Sequence, residues 1–161
     1  MTPPLRPEPL TQKAFAPFGR VIAADPETAR EINAGATIRF HALADAAPGP
    51  EGRAILSIFR SRARQPGPVA LAMVERHPLG AQAFMPLGGG DWLVVVAERP
   101  VPEALRAFRA RGDQGVQYAA GTWHHPLLTL GPERDFLVVD RAGPGDNLEE
   151  VVFSEPRLLT P

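Results

Sequence analysis

Short apolar segments recur along the whole chain, broken at intervals by clusters rich in glycine and proline. They fall at residues 20–23, 37–41, 54–60, 69–77, 82–85, 92–97, 115–118, 126–130, 134–141 and 149–153. The breaks lie at 45–53, 87–91, 112–114, 131–132 and 142–147, where residues that tolerate turn geometry gather. Many short strands at this spacing predict an antiparallel sandwich or barrel. Helical signals are local. Thr11 is placed to cap a short helix ending near Phe15, and 102–108 puts Leu105 and Phe108 on one helical face with proline in the first turn. No repeat of solenoid or propeller period and no heptad seam is present. The expectation is an all-β architecture with one or two short helices, in a single domain spanning residues 1–161.

Composition narrows the chemistry. A net charge of -1 leaves no basic excess to neutralise a phosphate backbone, so a small-molecule ligand is expected and nucleic acid is not. The absence of cysteine excludes disulfides, thiolate nucleophiles and Cys-ligated metal centres, so any metal must use histidine, carboxylate or amide ligands. The apolar run 92–97 is too short to cross a bilayer, and residues 1–10 are proline-rich without an apolar core, so neither a membrane nor secretion is expected and a cytoplasmic location is. Nineteen prolines and 15 glycines, 34 residues together, read as turns.

The segment 69–77 carries the first chemical signal. Strand alternation puts Val69, Leu71, Met73, Glu75 and His77 on one face, so two ionisable groups share a face with apolar residues. A carboxylate buried there costs several kcal/mol unless paired or metal-bound, about. The plainer alternative, that the strand end is wet, weighs equally on this segment alone. After the turn at Pro78-Leu79-Gly80, a β-hairpin would bring Gln82 back toward His77. Further on, alternation requires that only one of His124 and His125 point inward.

These residues resemble the two cupin motifs. Glu75, His77 and Gln82 stand at the first three ligand positions, Gly89 at the closing glycine, and Gly121-Thr122-Trp123-His124 at the second motif. Glu75 replaces the usual first histidine, Gln82 the usual glutamate, and Ala119 a usual proline. The finer pattern is similar to the ureidoglycolate lyases of allantoin catabolism: Glu75-Arg76-His77-Pro78-Leu79-Gly80, Gln82-Ala83-Phe84 with Pro86, Asp113-Gln114-Gly115-Val116 with Tyr118, and Trp123-His124-His125-Pro126. Ile32-Asn33-Ala34-Gly35, Arg39-Phe40-His41, Ser57-Ile58-Phe59-Arg60, and Asp135-Phe136-Leu137 through Asp140-Arg141 extend it over nearly the whole chain.

The resemblance implies a cupin-type double-stranded, jelly-roll-like β-barrel, a homodimer that cleaves (S)-ureidoglycolate to glyoxylate and urea. It also implies a divalent metal, nickel in the family description, and no organic cofactor is called for. Glu75, His77, Gln82 and His124 would hold the metal, or failing that a water network, with Glu75, His77 and His124 as catalytic groups. The reaction removes a hydroxyl proton and protonates the departing nitrogen; which group is base and which acid stays open. For the substrate carboxylate, Arg39, Arg60, Arg76 and Arg141 are candidates, with His41 beside Arg39 and Asn33 in a turn that would close over the site. Arg76, on the face opposite His77, is disfavoured for direct contact. The alternatives are an amidohydrolase releasing ammonia from the same substrate, a cupin oxygenase with a redox metal, and a non-catalytic ligand-binding cupin.

Overall fold

The run 92–97 is apolar at every position because it forms a strand buried on both faces. Leu93, Val95 and Ala97 pack into one apolar cluster, and Trp92, Val94 and Val96 into a second on the other side. In the computed structural model, which describes residues 2–161, this strand is β8 of thirteen. The others are β1 (Glu8–Pro9), β2 (Gly19–Ile22), β3 (Ala29–Ile32), β4 (Thr37–Phe40), β5 (Arg53–Ser61), β6 (Val69–Arg76), β7 (Gln82–Pro86), β9 (Leu105–Ala110), β10 (Gly115–Tyr118), β11 (Trp123–His124), β12 (Arg134–Ala142) and β13 (Glu149–Leu159).

A six-stranded sheet has the order β1-β9-β8-β11-β6-β13, and a five-stranded sheet β2-β10-β7-β12-β5. Both are antiparallel except for the β1–β9 pair. The second cluster draws side chains from β8 and β9 of one sheet and β7, β10 and β12 of the other, so it is the core between them. The first cluster lies on the far side of the six-stranded sheet, and the N-terminal segment closes it. Leu5 bridges to Leu159 of β13 while Glu8 and Pro9 pair with β9, so one stretch of chain straps both edges of that sheet. The architecture is therefore all-β and cupin-like. Helix is limited to α1 (Gln12–Phe15) and three short 3-10 turns. Thr11 accepts a hydrogen bond from the Ala14 N–H, as its position predicted, and Phe15 is fully buried. No helix among the described residues is long and apolar enough to cross a membrane.

Four local expectations are corrected. The helix over 102–108 shrinks to a 3-10 turn at Pro102–Ala104, followed by β9. Leu105 and Phe108 lie in different clusters, so their spacing came from a doubly buried strand and not from one helical face. Residues 126–130 form no named strand; Pro126 has no N–H to give a ladder, and only Leu128 bridges, to Leu93. The segment 29–32 is a strand, pairing with β4 in an exposed hairpin. Finally, β6 and β7 are not a hairpin: the chain from Pro78 to Ala81 crosses from one sheet to the other, anchored where Asn147 Oδ1 accepts the Leu79 N–H and the Ala47 carbonyl accepts that of Ala81.

Candidate active site

The ladders place the polar residues on the face between the sheets. His124 lies opposite Glu75 on β6 and Val96 on β8, and Val96 belongs to the inter-sheet core. Glu75 and His124 therefore turn inward while Val74 and Trp123 turn to the first cluster. Val69 and Leu71 also belong to that first cluster, so they do not share the face of Glu75, contrary to strict alternation along 69–77. The change of face on β6 falls where its pairing with β13 shifts register, between Met73↔Val152 and Leu71↔Arg157.

Three ligand atoms converge. Glu75 Oε1 is 3.5 Å from His124 Nε2 and 3.8 Å from His77 Nε2, and the three groups lie within 4.8 Å of one another. Each imidazole is oriented from behind: His124 Nδ1 donates to the Thr122 carbonyl at 2.9 Å and His77 Nδ1 to the Asn147 carbonyl at 2.8 Å. A carbonyl only accepts, so Nδ1 carries the hydrogen, and Nε2 is the ring atom turned toward Glu75. Neither Nε2 has a hydrogen-bond partner, although both are buried. Backbone carbonyls behind Nδ1 are the usual outer support of ligating histidines. Ligands about 2.1 Å from a tetrahedral cation stand roughly 3.4 Å apart, near the separations found here. The donor set fits a divalent metal. The Glu75 carboxyl is held below its ordinary value mainly by His124, against the opposing effect of burial, with His77 and His125 adding to the depression.

The facing sheet supplies a matching row. Tyr118 of β10 lies directly opposite Gln82 of β7, and Asp140 of β12 lies one step past the Val139↔Ala83 pair. The Tyr118 ring stacks on His124 with centroids 4.1 Å apart and planes 10° from parallel. Burial, with Glu75 nearby, pushes the Tyr118 phenol up, so it stays neutral. Gln82 Nε2 donates to Asp140 Oδ2 at 3.3 Å, leaving Gln82 Oε1 and Asp140 Oδ1 buried without partners. Gln82 thus approaches the two histidines from across the core. Asp140 and Tyr118 had not been picked out as site residues. Asp140 has the parity of the inward-facing Phe136 and Val138, the reasoning that had been applied to Glu75, and Tyr118 has that of Val116.

A cavity of about 770 Å³ opens over Glu75, His77, Gln82 and Asp140, with Phe59, Phe84 and Leu127 among its apolar walls. Burial, with the Arg64 charge adding to it, holds the His125 imidazole below its ordinary value against the opposing hydrogen bond to the Pro126 carbonyl. Of the expected substrate contacts, Arg60 lines the cavity, but its guanidinium grips Asp135 bidentately at 2.7 and 2.9 Å. Asn33, Arg39 and His41 are on or beside the exposed β3–β4 hairpin and do not line the cavity. Arg76 pairs with Glu149 at 2.6 Å and lies over Trp123, while Arg141 donates to the carbonyls of Pro48, Pro50 and Pro144.

Comparison with known proteins agrees with this geometry. The chain is 54% identical over 156 residues to a ureidoglycolate lyase of Pseudomonas syringae pv. syringae, covering 94% of this chain and 91% of the relative. It is 55% identical over 154 residues to one from Rhizobium etli, covering 94% and 92%. A Pseudomonas putida protein of the same name is 52% identical over 156 residues, covering 94% and 93%. The family model described as ureidoglycolate lyase matches residues 2–160, and the chain belongs to that family.

Proposed function

We propose that this protein is a carbon–nitrogen lyase that cleaves (S)-ureidoglycolate to glyoxylate and urea in allantoin breakdown. The observation that carries the reading is identity above one half to proteins of that name across nearly the full chain, because a cupin-like site alone would serve many chemistries. The converging Glu75, His77 and His124 supply groups suited to it.

The substrate is a carbinolamide. Its hydroxyl loses a proton, the C–N bond breaks as the carbonyl of glyoxylate forms, and the departing nitrogen gains a proton to leave as urea. Glu75, His77 and His124 would hold a divalent cation, nickel by family resemblance, and Gln82 Oε1, buried without a partner on the facing sheet, is a candidate further ligand. Such a cation would supply positive charge against oxygen as the hydroxyl ionises. The stacked Tyr118 and the two backbone carbonyls keep the imidazoles in place, and Glu75 or an imidazole moves the proton between oxygen and nitrogen. Phe59, Phe84 and Leu127 give the cavity its apolar walls.

The protein works as one domain, in the cytoplasm, as a homodimer. The outer face of the β5 edge strand, where Leu56 and Ile58 are 72% and 55% exposed, supports self-association. Purified protein supplied with (S)-ureidoglycolate should release urea and glyoxylate in equal amounts, with turnover suppressed by a chelator and lost in His124→Ala. Ammonia in place of urea would assign the amidohydrolase reaction instead, and no turnover with any divalent metal would overturn the proposal.

A further inference from the structure

The substrate carries a carboxylate, and the cavity floor is acidic, with Glu75 and Asp140 both lining it. An anion enters such a space only if cationic groups meet it, and guanidinium matches a carboxylate in charge and in geometry. The arginines that sequence reasoning offered are occupied or elsewhere. Arg60 is committed to Asp135, Arg76 to Glu149, Arg141 to three carbonyls, and Arg39 lies on the outlying hairpin.

Three arginines line the cavity: Arg60, Arg62 and Arg64. Among the described residues, Arg62 and Arg64 make no ion pair and no side-chain hydrogen bond, in contrast to the bidentate grip of Arg60 on Asp135. Arg62 follows directly on the end of β5, and Arg64 lies two residues further on. The main chain at Arg64 is clamped to Gly131 in both directions, by N–H to carbonyl contacts of 3.0 and 2.7 Å, so its guanidinium swings from a fixed base. We propose that Arg62 and Arg64 form the subsite for the substrate's carboxylate, selecting small 2-hydroxy and 2-oxo acids and directing the carbinol carbon toward Glu75, His77 and His124. This rests on the lyase reading for the identity of the substrate, while the anion subsite itself can be tested without turnover.

The test combines calorimetric titration of the metal-loaded protein with glyoxylate and steady-state kinetics, for wild type, Arg62→Ala, Arg64→Ala, the double variant and Arg64→Lys. Arg99→Ala, a remote exposed arginine, controls for the change in net charge. A lost charge-assisted contact should weaken glyoxylate binding and raise KM by about 10-fold or more in each single variant, with the double variant weaker still and kcat changed by less than about threefold. Arg64→Lys should recover part of the loss, and melting curves confirm that each variant folds. Glyoxylate binding and KM within about twofold of wild type in the double variant would overturn the proposal, as would a wild type that binds no glyoxylate. Wild type that binds glyoxylate without turning over ureidoglycolate, with binding lost in the variants, would sink the lyase reading and leave the subsite standing.

Discussion

Replacing Tyr118 by leucine should weaken both the fold and the metal site, and the two effects are separable. The Tyr118 ring meets three others: His124 at 4.1 Å, Phe84 at 6.0 Å and Phe15 at 6.3 Å. Each aromatic contact is worth about 0.5–1.5 kcal/mol beyond the area it buries, so losing all three removes about 1.5–4.5 kcal/mol. The imidazole of His124 also loses the flat surface that keeps its Nε2 turned to Glu75, leaving only the Thr122 carbonyl behind Nδ1. Loss of an outer support of this kind typically lowers metal affinity about 10- to 100-fold. Tyr118→Phe keeps the ring and should retain both properties to within about 1 kcal/mol and threefold. Urea denaturation of the chelated protein reads the first effect and competition titration with a metal indicator reads the second. Metal affinity in Tyr118→Leu within twofold of wild type would refute the positioning role even if stability fell as calculated.

Three further outcomes follow from the same geometry. Nickel, cobalt or zinc at about 100 times its dissociation constant should stabilise the chelated protein by about 2.7 kcal/mol, a rise of roughly 5–10 °C in Tm; an unchanged Tm with all three would remove the metal site. Phe136→Ala empties a fully buried position against Trp92, whose ring centroid is 4.9 Å away, and should cost about 3–5 kcal/mol by urea denaturation; a loss under 1 kcal/mol would show that the core collapses around the gap. Hydrogen bonding to Arg60 holds the folded Asp135 carboxyl below its ordinary value, so its stabilisation is present above the unfolded-state value and fades as pH falls through the folded one. Asp135→Asn should therefore lose stability at neutral pH, and the difference from wild type should shrink as the solution is acidified below the ordinary carboxylate range; a difference constant with pH would refute the assignment.

Much of the site was legible because it follows from local periodicity. His124 faces inward and His125 follows it, and Glu75 joins His77 and His124, as alternation and the cupin-like spacing suggested. What escaped depends on partners distant in sequence. The change of face along β6 falls at a register shift whose extra residues belong to β13, some eighty positions away, and nothing within 69–77 announces it. Gln82 comes close to the histidines by crossing to the facing sheet, which local turn chemistry at Pro78-Leu79-Gly80 does not distinguish from a hairpin. Asp140 was readable in principle by parity but lies at the end of a strand, where acidic residues are usually solvated. Leu105 and Phe108 fit a helical template only because a strand with both faces buried is apolar at almost any spacing.

The strap formed by Leu5 has a consequence for how the protein is made. Its partner strand ends at Leu159, and main-chain hydrogen bonds join Leu5 to Leu158 and Thr160. At a synthesis rate of about 5–20 residues per second, Leu5 waits roughly 8–30 s for that partner to exist. Over that interval Leu71, Leu93 and Val95, which the closed sheet buries, have no lid, and β6 lacks one of its two neighbours. The histidines and Glu75 therefore reach their working arrangement only once β13 has been made, and a nascent chain halted before β13 would expose an apolar sheet face for chaperones to hold.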